Sequence, residues 1–305
     1  MQHPNILALV KEAAERGFHY TAQIIRQYPI EQIICTIAGQ GEPIKTAFIG
    51  GNGVYPRTKD GHSAYLAEVL AEFKANVDRY EAIYNRLSDN ASRLTFNFLM
   101  CQRLYPAPQL FELAFDANHP QYFDRGIITT NENEVFVDCG AYTGDTVQGY
   151  IKHMGKYKHI YAYEPDPDQF ITCQKNLSNL ENISLRNAGV SVRSDVLQFT
   201  RTGASSTFAN RPGKGISVPI ISLDEDILEP VTFIKMDIEG FEIEAINGAR
   251  RHITNEKPKL AICLYHVLSD FWEIPTLVHS LNPDYNLYVR HYHRSYYWET
   301  VLYAV

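Results

Sequence analysis

The sequence is short of cysteine, of long apolar runs and of basic charge, and each shortage removes a class of protein. Five cysteines, at positions 35, 101, 139, 173 and 263, show neither C-x-x-C spacing nor crowding. A zinc site and a disulfide framework are therefore unsupported, and reduced, mostly buried thiols are expected. No apolar stretch reaches the roughly 18–20 residues that cross a bilayer, and no opening segment joins a basic end, an apolar run and a small-residue cleavage site. The expectation is a cytoplasmic protein with no membrane span. Acidic residues outnumber basic ones, 35 to 28, for a formal net charge of -7. That balance disfavours a surface built to neutralise phosphate backbones, so nucleic acid is not expected as a partner.

The most informative stretch that is present runs from Val135 to Thr146, where an apolar strand enters a turn containing Gly140 and Gly144. A helix follows, with Val147, Tyr150, Ile151 and Met154 on one face, and such strand ends are where open α/β sheets bind ligands. The next apolar run, Ile160 to Tyr163, ends in Glu164 and Pro165, an acid placed to hold ribose hydroxyls. Asp166 is placed to cap the helix that follows, with Pro167 at its first position and Phe170, Cys173, Gln174 and Leu177 at helical spacing. The turn also lacks something. A dinucleotide loop reads G-x-G-x-x-G, and here Asp138 stands at the first glycine position. A carboxylate repels phosphate and attracts the ammonium and sulfonium groups of S-adenosylmethionine (SAM), so SAM is favoured over NAD. An NAD-dependent oxidoreductase, with Asp138 only capping its turn, is the competing enzyme. A non-catalytic interaction protein on a SAM-type fold is the third reading.

At 305 residues the chain has room for two units. Residues 1–130 read as mainly helical and 131–305 as an α/β unit. Leu66, Leu70, Phe73, Val77, Tyr80, Tyr84 and Leu87 form a heptad seam that predicts a helix from about Ser63 to Leu87. The seam fits either a helix buried in its own unit or a homodimer through the N-terminal helices. Two more helices are expected around Leu94 to Phe98 and Leu110 to Phe115, and Ile33 to Gly53 reads as one or two strands with loops. From Val135 strands and helices alternate, which means a parallel sheet. Ile183 to Leu185 is the third strand, and Gly189 to Pro219 reads as a hairpin or long loop that covers the ligand. Val231 to Met236 is the fourth, ending at Asp237, and its helix stops near Gly248. Leu260 to Leu264, Tyr285 to Val289 and Thr300 to Val305 follow. The last two are joined without a helix, so the final strand runs antiparallel to its neighbours.

With Val-Asp-Cys-Gly-Ala-Tyr-Thr-Gly-Asp at 137–145, Tyr-Glu-Pro at 163–165 and Phe-Ile-Lys-Met-Asp-Ile-Glu-Gly at 233–240, the chain resembles the FkbM-type SAM-dependent methyltransferases. Gln-Tyr-Phe at 121–123, Tyr-His at 265 and 266, Trp-Glu-Ile-Pro at 272–275 and Glu-Thr-Val-Leu-Tyr-Ala at 299–304 add to the match, while residues 1–60 carry none of it. The resemblance implies a Rossmann-like class I methyltransferase fold: a seven-stranded, mostly parallel sheet with an antiparallel last strand. It implies O-methylation of a sugar, glycan or natural-product hydroxyl, with a small-molecule or glycan acceptor as partner. By the same resemblance Asp138, Gly140, Ala141, Tyr142, Thr143 and Gly144 line the methionine end of SAM, Glu164 with Pro165 holds the ribose, and Asn187, Ala188 and Gly189 border the adenine. Asp237 then lies near the transferred methyl group, and Tyr122, Glu239, Tyr265, His266, Trp272 and Glu273 face the acceptor.

Methyl transfer to an alcohol is an in-line displacement, so alignment comes first and proton removal second. His266, just past a strand end on the ligand side of the sheet, is the expected base, since an imidazole titrates near 6.5. Glu239 is the second choice, or an acceptor for another substrate hydroxyl. Asp237 and Glu239 are too few oxygens to argue for a metal, and none is expected. Tyr265, Trp272 and the aromatics from His291 to Trp298 suit a sugar face or a ring, or simply pack the terminal hairpin.

Overall fold

The computed structural model describes residues 6–34, 48–50, 53–55, 59–104, 108–202, 205–208 and 216–305. Much of the Ile33 to Gly53 run lies outside them. The chain divides into two compact units. The first comprises Met1–Ala117 together with the later segments Leu264–Pro275 and Leu287–Thr300; the second comprises Asn118–Cys263, Thr276–Asn286 and Val301–Val305.

In the first unit, α1 (Ile6–Arg16) and α2 (Phe18–Gln27) precede a hairpin of β1 (Phe48–Gly50) and β2 (Gly53–Tyr55). Helices α3 (Lys59–Arg86), α4 (Asn90–Leu104) and α5 (Pro108–Ala114) follow, as the heptad seam and the later apolar positions predict. The seam is filled from inside the chain: Leu66, Leu70, Phe73, Val77, Tyr80 and Leu87 are all buried. The Phe18 ring of α2 lies 6.4 Å from Tyr80, 5.8 Å from Tyr84 and, edge-on, 5.3 Å from Phe96 of α4. This apolar stripe is taken up within one copy of the chain, so the dimerising coiled coil loses the surface it needs.

In the second unit, β3 (Val135–Cys139), α6 (Asp145–His153), β4 (His159–Tyr163), α7 (Pro167–Leu177) and β5 (Ile183–Arg186) follow the expected alternation. After β6 (Gly189–Val190), β7 (Asp195–Thr202), β8 (Ser205–Phe208), β9 (Ile216–Ile221) and the short α8 (Leu223–Asp226) come β10 (Phe233–Met236), α9 (Glu242–Gly248) and β11 (Lys259–Cys263). The chain goes on through α10 (Asp270–Leu281), whose first half is counted with the first unit, β12 (Leu287–His291), which is counted with it entirely, and β13 (Thr300–Ala304). The main sheet has seven strands in the order β12-β13-β11-β10-β3-β4-β5. β3 is parallel to both β4 and β10, and β13 runs antiparallel to β11. β3, covered on both faces, is buried along its whole length, which is why it reads as an unbroken apolar run apart from Asp138.

The stretch Gly189 to Pro219 is more ordered than the sequence suggested. β7 and β8 form the expected hairpin, but β9 joins them and pairs also with β6, making a four-stranded sheet. Pro219 hid that strand, because proline argues against a strand interior. Here its side chain faces outward while Val218 and Ile220 alternate inward. Cys101, Cys139, Cys173 and Cys263 are free and buried. Among the described residues no helix is long and apolar enough to cross a membrane.

Candidate functional site

Strand register builds the site. Cys139 stands opposite Tyr163 of β4 and Met236 of β10, and Met236 opposite Ile262 of β11. Adjacent parallel strands thus end at one level, and the residues just beyond them, Gly140, Glu164 and Asp237, share the carboxyl edge where such sheets bind ligands.

The same register pairs Asp138 with Lys235. Both are buried, and Lys235 Nζ lies 3.0 Å from Asp138 Oδ1 while donating to the Gly140 carbonyl at 2.8 Å. Lys235 therefore offsets the charge that the sequence reading assigned to a ligand cation. Burial pushes the Asp138 carboxyl up to about 6, and the lysine beside it opposes that shift. Oδ2 is left buried with no hydrogen-bond partner among the described residues. Sequence reasoning passed over Lys235, though a lysine inside an apolar strand is itself a signal that a buried acid faces it.

Gly140, Tyr142 and Gly144 take positive φ values of 88°, 48° and 85°. The glycines also serve the packing of the chain itself. A Cβ on Gly140 would come within 2.0 Å of the Asp237 carbonyl oxygen, and one on Gly144 within 2.9 Å of Leu177. They admit close approach of the chain to itself, strand end to turn and helix to helix. Gly140→Ala combines a disfavoured φ with a backbone clash, so it is expected to destabilise the fold by at least about 2 kcal/mol in a urea titration. A variant as stable as the parent would show that the turn relaxes freely.

The turn's amides are spent inside the chain. Gly140 N and Ala141 N both donate to the Tyr163 carbonyl, at 3.0 and 2.9 Å, and Gly144 N donates to Ala141 O at 2.7 Å. Tyr142 N donates to Glu164 Oε2 at 2.7 Å, and Glu164 Oε1 accepts from Asp166 N, also at 2.7 Å. Each Glu164 oxygen keeps a lone pair, and burial pushes the carboxyl up to about 7 against the pull of those two amides. Asp166 caps α7 as predicted, accepting from the Asp168 and Gln169 amides. Asn187 Nδ2 donates to the carbonyls of Glu164 and Pro165, at 2.8 and 3.2 Å, so it secures the acid's backbone. Ala188 is buried and Gly189 opens β6.

At the next strand end Tyr122, itself at φ 67°, donates its hydroxyl to Asp237 Oδ2 at 2.8 Å, and Lys235 Nζ lies 5.2 Å from the centre of its ring. The structure thus gathers Tyr122, Asp237, Lys235, Asp138 and Gly140 into one network. Glu239 follows at φ 58° and is exposed. Glu242, which sequence reasoning also missed, is buried and accepts from Ile238 N at 2.9 Å, fixing the turn that carries Asp237 into α9. The remaining candidates belong to the first unit. Tyr265 and His266 follow β11 with ring centres 4.3 Å apart. Trp272 is buried, its indole N–H donates to Glu72 at 2.9 Å, and the Arg79 guanidinium sits 4.3 Å from its ring centre. Those contacts account for it within its own unit. Glu273, half-buried on α10, donates its amide to Ser269 O.

The methyltransferase FkbM domain matches residues 138–294. The crystal structure of the methyltransferase FkbM from Methylobacillus flagellatus KT is similar over 80% of this chain, with 27% identity and a TM-score of 0.69, and this chain covers 65% of that protein's length. More distant likenesses include an rRNA methylase from Streptococcus thermophilus, with 16% identity, a TM-score of 0.36, and coverage of 57% of this chain and 86% of that one. Another is the fibrillarin of Aeropyrum pernix in complex with natively bound S-adenosyl-L-methionine, with 11% identity, a TM-score of 0.37, and coverage of 58% and 67%. No curated protein matches the sequence. With the matched domain spanning more than half of its residues, the chain belongs to the FkbM methyltransferase family.

Proposed function

We propose that this protein transfers a methyl group from SAM to a hydroxyl oxygen of a sugar, glycan or other natural product. The observation that carries the choice of cofactor is the turn after β3. Its amides at Gly140, Ala141, Tyr142 and Gly144 already have acceptors in the chain. A pyrophosphate needs such amides free, whereas SAM carries no phosphate, and this supports SAM over NAD. Three acids, Asp138, Glu164 and Asp237, at or beside neighbouring strand ends add to the case, as does Asp138 Oδ2, which has no hydrogen-bond partner among the described residues.

Bound there, SAM supplies an electrophilic methyl group. The chain's part is to hold, align and take a proton. The free lone pairs of Glu164 suit ribose hydroxyls, and Asp138 Oδ2 suits the ammonium of the methionine end. Asp237, oriented by the Tyr122 hydroxyl, is the group proposed to align the acceptor. His266 is the proposed base for the departing hydroxyl proton, with Glu239 as the alternative.

Calorimetric titration with SAM and NAD tests the cofactor, and labelled SAM with a panel of sugars and hydroxylated natural products tests the acceptor. Saturable binding of NAD without binding of SAM would overturn the assignment. A pH dependence is also expected. Glu164 stands at about 7, above its ordinary 4.5, so ionising it costs stability that accumulates as pH rises from 4.5 to about 7 and is relieved below. Ribose binding needs the ionised form as a full acceptor. SAM affinity should therefore weaken as pH falls from about 8 to about 6, and the dependence should flatten in Glu164→Gln. An affinity that is level across this range in the parent protein would remove Glu164 from the ribose.

A further inference from the structure

Arg103, in the last turn of α4, is the most deeply buried arginine among the described residues, at 4% exposure. Other arginines of the first unit meet acids: Arg290 lies 2.7 Å from Asp89 and 3.8 Å from Asp116, and Arg26 lies 2.6 Å from both Asp78 and Glu81. Among the described residues Arg103 has no carboxylate at ion-pair distance. It has a ring instead. Its Cζ stands 4.0 Å from the centre of Tyr297, between β12 and β13. Stacking occupies one face of the guanidinium and leaves its five N–H donors, which lie in the plane, pointing outward.

The Tyr297 hydroxyl is a second observation: it is buried with no hydrogen-bond partner among the described residues. Burial pushes this phenol up to about 12, so it is a neutral donor at physiological pH. Both side chains are held from behind. Val289 N and Arg290 Nη1 bond to Ser92 Oγ at 3.0 and 2.9 Å, fixing α4 against β12. In the loop that carries Tyr297, His293 Nδ1 accepts from the Ser295 and Tyr296 amides at 3.1 Å, and Tyr296 stacks on Trp298 at 4.2 Å. A buried hydroxyl without a partner is unfavourable for the ligand-free protein. The planar fork of an arginine edge matches two oxygens of a carboxylate or phosphate.

We propose that Arg103 and Tyr297 form a binding site for the carboxylate or phosphoryl group of a small molecule. Two N–H groups of the Arg103 edge bond two oxygens of the anion, and the Tyr297 hydroxyl donates to one of them. The site does not rest on the methyl-transfer reading, since its test needs no cofactor.

The test is thermal denaturation of the full chain in sodium phosphate and in sodium glucuronate, against sodium chloride of equal ionic strength. The wild type is expected to show a saturable rise in Tm with at least one of the two anions, and the better one identifies the group as phosphoryl or carboxyl. Arg103→Met should weaken that binding about ten- to a hundredfold. Tyr297→Phe keeps the ring under the guanidinium and should weaken anion binding several-fold with little change of Tm in chloride, a readout that survives if Arg103→Met does not fold. Absence of a saturable shift in the wild type would overturn the proposal. So would an Arg103→Met protein that responds to the anion as the wild type does, or a Tyr297→Phe protein of undiminished anion affinity.

Discussion

Lys235→Met is expected to destabilise the protein by about 3–5 kcal/mol, because it strands the Asp138 carboxylate inside the central sheet. The pair is buried, with Lys235 Nζ 3.0 Å from Asp138 Oδ1 and 2.8 Å from the carbonyl of Gly140. Removing the ammonium takes away the charge that opposes the upward pull of burial on Asp138, whose carboxyl already stands at about 6 against an ordinary 3.8. The sign follows from linkage. A carboxyl whose folded pKa is raised costs stability as pH climbs past its unfolded value, and the loss runs further when the lysine is gone. The deficit of Lys235→Met relative to wild type should therefore be largest above about pH 7 and shrink towards pH 5, where Asp138 is protonated in both. Asp138→Asn combined with Lys235→Met should recover most of the loss, since neutral replacements for both partners of a buried pair are often tolerated. Urea unfolding at two pH values measures all three proteins. A single-variant cost below about 1 kcal/mol, or a double variant worse than the single, would show that the pair does not hold β10 to β3.

This pair also marks how far the amino-acid sequence reaches. The buried run at Val135, the cap at Asp166 and the reversed final strand were legible because each depends on local chemistry: an apolar period, a short acid before a proline, a connection too short for a crossover helix. Glu164 and Asp237 were legible as strand-end residues for the same reason. Lys235 was not, because its meaning comes from register: only when Phe233–Met236 lies beside Phe136–Cys139 does Lys235 meet Asp138. The reason for Gly140 was likewise hidden. Its turn suggested room for a ligand, whereas the atom nearest to a Cβ there is the Asp237 carbonyl oxygen, nearly a hundred residues away in sequence. Trp272 likewise has a partner that no local pattern announces. An aromatic beside an acid in a motif invited an acceptor role, and its indole bonds Glu72 of α3. β9 escaped notice because Pro219 interrupts its pattern. Long-range pairing decides each of these, and a pattern along the chain does not contain it.

His266→Ala is expected to lower the rate of methyl transfer by about a hundred- to ten-thousandfold while leaving SAM affinity close to that of the parent. The separation between rate and affinity is the informative part. The side chains proposed to hold the cofactor, Glu164 and Asp138, sit at β4 and β3 and are unaltered in this variant. A group that takes the proton of the acceptor hydroxyl acts only as the oxygen attacks, so its loss falls on turnover. Activity that depends on a neutral imidazole also falls as the solution is made acid through the imidazole range, and the variant should lack that limb. Glu239→Gln is the matched comparison. Glu239 is exposed and holds a left-handed φ of 58°, which glutamine tolerates as well as glutamate does, so the exchange removes the charge and keeps the side chain's shape. Full turnover by His266→Ala with a feeble Glu239→Gln would transfer the base to Glu239. Full turnover by both, with Asp237→Asn inactive, would make alignment by Asp237 and Tyr122 the main contribution, as expected if the chemistry is set chiefly by placing oxygen, carbon and sulfur in line. These rates are to be measured with whichever hydroxylated acceptor the labelled-SAM panel identifies.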